Sequence, residues 1–116
     1  MVKRNLVQDK SFEFALSIIQ LYKILVAQRE YVISKQLLRS ATSIGANIEE
    51  ASAASTKKDF AYKMSISSKE ARETRYCLKL LDRSQIIELD YSEYLANVTE
   101  IIRILTAIVK TSQKHL

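Results

Sequence analysis

Residues 57–83 read KKDFAYKMSISSKEARETRYCLKLLDR, and this stretch decides the fold class. Seven of its residues follow one another at alternating steps of four and three: Phe60, Met64, Ser67, Ala71, Thr74, Leu78 and Leu81. Such steps keep side chains on one face of an α-helix, as in the seam of a coiled coil. The stretch therefore predicts a long helix that packs against other helices along one side, with small residues in the middle of the contact.

Three further segments carry apolar residues at helical spacing and flank this one on both sides. They run over about residues 10–27, from after Ser34 to about residue 55, and over about residues 91–110. Side chains that can cap a helix stand at their starts and before residue 57: Asp9 or Ser11, Ser34, Thr56 and Asp90. Short connections make successive helices antiparallel neighbours. We therefore predict an all-α fold in which residues 1–116 form a single domain, an antiparallel up-down-up-down four-helix bundle.

The composition excludes several classes of protein. The 116 residues include one Gly and no Pro, which argues against a β-rich fold because such folds need both residues at turns. Cys77 is the only cysteine and cannot form an internal disulfide. The only histidine, His115, stands next to the C-terminal residue, so most metal and triad chemistry lacks its usual ligand or base. We expect no enzymatic activity, no metal, no cofactor and no small-molecule substrate.

Membrane and secretory segments are also not expected. The N-terminal residues Met1–Asn5 carry two positive charges, but no apolar signal segment follows them. The apolar runs are far shorter than the ~20 residues that span a bilayer. We therefore expect a cytoplasmic protein with no membrane partner.

The first helical segment has an unusually wide apolar surface, an arc of roughly 200° where a stripe of about 100° is enough to face a core. One side of this arc consists of Phe12, Leu16, Ile19, Tyr22 and Val26, and four further residues extend it: Phe14, Ile18, Leu21 and Leu25. A bundle core covers one side only, and four helices offer no deeper position in a monomer. We therefore expect a homo-oligomer with Phe14, Ile18, Leu21 and Leu25 at the subunit interface.

The second segment carries a polar stripe beside its apolar one: Gln36, Arg39, Ser40, Ser43, Asn47 and Glu50. The stripe is either a ligand pocket or a network that fixes the register of two helices, and we favour the network. It is expected to comprise Arg39, Ser43, Asn47, Glu50 and Glu73, with hydrogen bonds between the second and third helices. For a buried charged pair, removal of one partner costs about 3–5 kcal/mol. Gly45 in mid-helix costs about 1 kcal/mol relative to Ala, which we attribute to close backbone packing.

The net charge of +5 is concentrated in residues 57–83, which contain eight basic and four acidic residues. Six residues of this segment share one broad helical face: Lys69, Arg72, Arg75, Tyr76, Lys79 and Arg83. Cations in this pattern suit a phosphate backbone, with Tyr76 stacked on a base. Two other interpretations stay open at this point, namely an ordinary solvated face and a docking site for an acidic protein.

Three motifs carry a resemblance to a bacterial family. They are residues 35–51, KQLLRSATSIGANIEEA, residues 11–16, SFEFAL, and residues 70–76, EARETRY. With them the chain resembles, over nearly its whole length, the four helix bundle protein family, also called the ribosomal RNA intervening-sequence protein family. Some members are encoded inside intervening sequences of ribosomal RNA genes, so the name reflects gene location. Matching the motifs brings in the five residues of the expected polar network without saying what they bind.

The resemblance implies an up-down-up-down bundle, a homopentamer and no known catalysis. The family is similar to the accessory protein of diversity-generating retroelements, a basic homopentamer that associates with a reverse transcriptase and nucleic acid. From the residues and the resemblance together we expect a non-enzymatic oligomeric scaffold, with a pentamer favoured. Its expected partners are other copies of itself, and structured RNA or a nucleic-acid-processing protein bound through the basic faces. The alternative is a protein–protein interaction module with no nucleic-acid ligand.

Overall fold

The computed structural model describes residues 6–116, and these form four α-helices: α1 (Leu6–Ala27), α2 (Ile33–Ser52), α3 (Lys57–Ser84) and α4 (Ser92–Lys114). The described residues contain no β-strand, so the predicted all-α class is confirmed. The segment Met1–Asn5, for which we expected no targeting function, lies outside the described residues. None of the described helices is both long enough and apolar enough to cross a membrane.

The start of α3 is capped by the predicted residue, whereas the start of α2 is capped by a residue other than the predicted one. Thr56 Oγ1 accepts the backbone N–H of Asp59 at 3.0 Å. At α2 the prediction of Ser34 as the cap is wrong, because the Glu30 carboxylate accepts the three backbone N–H groups of residues 32–34 at 2.7 to 2.9 Å. Ser34 Oγ instead donates to the Glu30 carbonyl oxygen at 2.6 Å. A carboxylate suits this position because the first N–H groups of a helix lack partners and carry partial positive charge.

The predicted seam of α3 lies in the core of the bundle. Phe60 is partly buried against the core. The other six members of the seam are buried: Met64, Ser67, Ala71, Thr74, Leu78 and Leu81. The two hydroxyls of the seam have partners on α2: Ser67 Oγ donates to the Ile44 carbonyl oxygen at 2.8 Å, and Thr74 Oγ1 donates to Ser40 Oγ at 2.8 Å. Small side chains at this contact let the two helices approach closely.

The expected interface residues of α1 occupy a different place. Phe14 is 3% exposed, and Ile18, Leu21 and Leu25 are fully buried within a single chain, so the prediction that they form a subunit interface is wrong. The apolar arc of α1 is wide enough for either side to face the core, and the bundle covers the side that contains these four residues. The opposite line of apolar residues remains exposed, and we call it the α1 apolar stripe: Phe12, Leu16 and Ile19, at 61%, 43% and 36%.

The order of the helices around the bundle separates α1 from α3. Both of these helices pack against α2 and α4. Within the described helices α1 and α3 make no packing contact with each other, so they lie diagonally across the bundle. The outward face of α1, with its apolar stripe, therefore points away from the outward face of α3.

Gly45 is not required by close packing. A Cβ atom built at this position would lie 3.5 Å from Ser11 Oγ, an ordinary van der Waals distance. Its backbone does not have a positive φ, so no conformation favours Gly here. The expectation that close backbone approach explains this glycine is therefore wrong.

We expect Gly45→Ala to raise the free energy of unfolding by about 0.5–1 kcal/mol, because Ala loses less backbone entropy than Gly when a helix forms. The measurement is urea denaturation followed by circular dichroism. The exposed neighbour Ala46 provides the matched control, since Ala46→Gly should lower the free energy of unfolding by a similar amount. A lower urea midpoint for Gly45→Ala than for the parent would contradict this account.

Candidate functional site

Arg39 on α2 holds two carboxylates of α3. Its Nη2 lies 2.7 Å from Glu73 Oε1 and 3.0 Å from Glu70 Oε1, and its Nη1 donates to Glu70 Oε2 at 3.1 Å. Gln36 Nε2 donates to Glu73 Oε2 at 3.1 Å. Hydrogen bonds from Arg39 and Gln36 lower the pKa of Glu73, and those to Glu70 and Glu73 raise the pKa of Arg39. The expected contact of Arg39 with Glu73 is present, whereas sequence reasoning missed the role of Glu70.

The rest of the predicted polar network is brought together only in part. Glu50 Oε1 accepts a hydrogen bond from Lys63 Nζ at 2.7 Å and so also links α2 to α3. Ser43 Oγ donates to the Arg39 carbonyl oxygen, and Asn47 Nδ2 donates to the Ser43 carbonyl oxygen, both at 2.8 Å and both within α2. The expectation that Asn47 bonds across to α3 is therefore wrong.

The network lies at the surface, which changes its energetic weight. The Arg39 side chain is 51% exposed and the Glu73 side chain 33%. Water and salt screen such pairs, which contribute about 0.2–1 kcal/mol each. The estimate of about 3–5 kcal/mol for a buried pair therefore does not apply. What the network does is hold α2 and α3 in one register at their solvent-exposed edge.

We expect Glu73→Gln to lower the free energy of unfolding by about 1 kcal/mol or less at pH 7, because one exposed charge-assisted contact is lost. The difference from the parent should shrink in acid. The folded-state pKa of Glu73 lies below its ordinary value of 4.5, so its contribution is present above that value and is lost as the pH falls through the lower, folded pKa.

Urea midpoints at pH 7 and at about pH 3 test this pattern. Glu49→Gln is the matched control, since Glu49 is exposed on α2 and makes no ion pair within the described residues. It should leave the midpoint unchanged. If Glu73→Gln unfolds at the same midpoint as the parent at pH 7, the carboxylate is not structural and the ligand-pocket interpretation of this stripe regains weight.

The six basic-face residues share the outer side of α3, and we call this set the α3 basic face. Arg75 is half-buried. The other five side chains of the face are exposed: Lys69, Arg72, Tyr76, Lys79 and Arg83. Arg72 Nη2 donates to Thr106 Oγ1 of α4 at 3.1 Å. This contact shows that the face leans towards α4.

The positive charges of the α3 basic face make no ion pair within the described residues. Within residues 6–116, none of its five cations has a carboxylate oxygen within 4.0 Å, whereas four other cations do: Lys10, Arg39, Lys63 and Arg103. The carboxylates of Glu70 and Glu73 are turned to Arg39, on the side of α3 that faces α2. The cations on the side that faces α4 are therefore exposed to solvent without pairing to either of these two carboxylates.

Three other features of the described residues bear on possible chemistry: a thiol, a cavity and the placement of metal-ligating side chains. Cys77 is buried, and burial raises the pKa of its thiol, which keeps it protonated at neutral pH. A cavity of about 340 Å³ between α1 and α4 is crossed by the ion pair of Lys10 Nζ and Glu100 Oε1 at 2.7 Å. Over residues 6–116, no group of three or more His, Cys, Asp or Glu side chains is placed to hold a metal ion.

Comparison with known proteins connects the chain to one family. Residues 3–107 match the model of the family described as 23S rRNA-intervening sequence protein, which confirms the resemblance seen in the motifs. A crystal structure from Bacteroides thetaiotaomicron VPI-5482, described as a protein with unknown function from the S23 ribosomal protein family, is 50% identical and has a TM-score of 0.87. The match covers 90% of this chain and 99% of that chain. No curated protein matches the sequence.

Proposed function

From the premise that this chain belongs to the 23S rRNA-intervening sequence protein family, we propose that it is a non-enzymatic scaffold that self-associates through α1 and binds RNA through the α3 basic face. The observation that carries the RNA-binding part is the separation of charge on α3. Five cations make no ion pair within the described residues, while the carboxylates of Glu70 and Glu73 are held by Arg39. Each such cation is available to neutralise a phosphate.

The proposed bundle is antiparallel and runs up-down-up-down. The contacts of α2 with α3 support this arrangement, because residue numbers rise along one helix as they fall along the other. Gln36 bonds to Glu73, and further along α2 Glu50 bonds to Lys63. The short connections between the helices support the same direction for the other neighbouring pairs. In this arrangement the α3 basic face runs along the length of the bundle on its outside.

Self-association is proposed to use the α1 apolar stripe. Phe12, Leu16 and Ile19 stand at successive turns of one helix face and are exposed together. Burying this face against another copy removes apolar surface from water, at about 25 cal/mol per Å². The proposed assembly is a closed ring, for which the family resemblance favours five copies. In a ring the α1 apolar stripe of one copy packs against a different face of the next copy. Because α1 and α3 lie diagonally across the bundle, a copy packed on the α1 apolar stripe does not cover the α3 basic face of the same subunit.

We expect the unmodified protein to sediment as a species several times larger than the 13.3 kDa chain, and Ile19→Glu to yield a smaller species. A charge placed on the α1 apolar stripe would be desolvated without a partner in the interface. Ile86→Glu is the control, because Ile86 is 62% exposed in the connection between α3 and α4 and should leave the sedimentation unchanged. A 13.3 kDa monomer at micromolar concentration would show that this face does not drive association.

RNA binding through the α3 basic face is expected to weaken steeply with salt, because each neutralised phosphate releases a condensed cation. Arg72→Ala and Lys79→Ala should each reduce the log–log salt slope by about 0.7 per subunit contact. Fluorescence anisotropy with a labelled RNA over a series of salt concentrations measures this slope. Lys35→Ala removes the same charge from an exposed site on α2 and should leave the slope unchanged.

The same titration decides between RNA and the alternative partners of this face. Electrostatic affinity is strong at ~50 mM salt, so a protein that binds RNA through its cations shows it there. If neither RNA nor DNA binds under this condition, the α3 basic face is a solvated surface or a docking site for an acidic protein. The proposed self-association through α1 does not depend on that result.

A further inference from the structure

Two exposed tyrosines stand in line on the outer side of α3. Tyr62 and Tyr76 are each 62% exposed, and Leu80, one turn after Tyr76, is 40% exposed. At 100° per residue these three positions fall within about 40° of one another around the helix axis. We call the two tyrosines the aromatic line. Tyr62 and Tyr76 are separated by about 21 Å along the helix, so each ring can stack a different base of one strand, several nucleotides apart. Exposed aromatic rings and cations together are a means by which proteins bind single strands.

A row of cations runs beside Tyr76 and Leu80 on the side of α4, and begins about 15 Å along the helix from Tyr62. Arg72, Lys79 and Arg83 also fall within about 40° of one another around α3. The hydrogen bond of Arg72 to Thr106 places this row next to α4. Glu73, which is bound to Arg39 of α2, stands on the other side of the aromatic line. Going around the exposed side of α3 from the α4 side to the α2 side, the cation row therefore comes first and the aromatic line second.

The charge on the two flanks of α3 differs as well. Helix α2 (Ile33–Ser52) carries two basic and two acidic residues, so the flank beyond the aromatic line has no net positive charge. Helix α4 (Ser92–Lys114) carries three basic and two acidic residues, a net charge of +1. Its exposed Lys110 makes no ion pair within the described residues, whereas Arg103 lies 3.6 Å from Glu100. One phosphate backbone is therefore attracted on the α4 side, and a second backbone finds no matching attraction on the α2 side.

From this arrangement we infer that the ligand of the α3 basic face is unpaired RNA, a single strand or a loop, with its phosphates on the cation row and its bases on the aromatic line. The inference rests on the RNA-binding function proposed above and specifies the class of RNA. In a duplex each base is stacked between its neighbours and the deep major groove of A-form RNA is closed to side chains, so rings on a convex helix surface find no base face. Unpaired bases are free to turn onto the rings.

The test compares one labelled RNA of about 20 nucleotides, free of self-pairing, with the same strand annealed to its complement, at ~50 mM salt. We expect the single strand to bind about tenfold more tightly than the duplex. Tyr62→Ala and Tyr76→Ala should each weaken single-strand binding by about tenfold, the effect of losing one stacked base, without changing the salt slope or the duplex affinity. The variants Tyr62→Phe and Tyr76→Phe keep an aromatic ring and should bind like the parent.

Tyr31→Ala is the control, because Tyr31 is 58% exposed in the connection between α1 and α2 and lies outside the proposed site. It should leave both affinities unchanged. Equal or tighter binding of the duplex, with no effect of the α3 tyrosine variants, overturns the inference while the proposed RNA binding stands. Absence of binding to either form, with a protein of unchanged helix content, overturns the proposed RNA binding and the inference with it.

Discussion

The close contact of α2 with α3 is the constraint on which the rest of the structure depends. Two hydroxyls in the middle of the α3 seam are buried, and each must find a partner because an unsatisfied buried polar group costs about 1–3 kcal/mol. Ser67 reaches the Ile44 carbonyl oxygen of α2. Thr74 Oγ1, in contrast, lies 2.8 Å from both Ser40 Oγ of α2 and the Glu70 carbonyl oxygen of its own helix, so Ser67 is the hydroxyl that needs α2. A slide or a rotation of α3 against α2 breaks both hydrogen bonds to α2 together. These two polar contacts therefore determine which residues of α3 face inward and, by exclusion, which face solvent.

The surface network between α2 and α3 depends on how α3 is rotated about its axis relative to α2. It affects the distribution of charge around α3 more than it affects the free energy of unfolding. Arg39 is half-exposed, so its contacts add little to the free energy of unfolding. The same contacts draw the carboxylates of Glu70 and Glu73 towards α2. These two acidic residues of α3 therefore do not pair with the cations on its opposite edge. A weakly stabilising ion-pair network can thus shape a binding surface by holding negative charge away from it.

The parts of the structure that follow from local pattern were predictable, and the parts that depend on a choice between two similar faces were not. The alternating steps of the α3 seam and the cap at Thr56 are both present as predicted. The side of α1 that faces the core was assigned wrongly, because both of its sides are apolar and helical period alone cannot rank them. Glu30 caps α2 from the preceding turn, and nothing in the spacing of Ser34 indicates that a competing carboxylate reaches the same N–H groups.

The diagonal placement of α1 and α3 lets the two proposed surfaces, the α1 apolar stripe and the α3 basic face, contribute together to RNA binding. A few cations and two aromatic rings form a small site, and a small site binds RNA weakly at physiological salt, because counterion release diminishes as the salt concentration rises. In the proposed ring each subunit carries such a site on the side of the bundle opposite its α1 apolar stripe. An RNA held by one subunit then meets the neighbouring sites at a high effective concentration. Affinity in this arrangement comes from the number of sites, so the apolar stripe of α1 governs RNA binding without contacting the RNA.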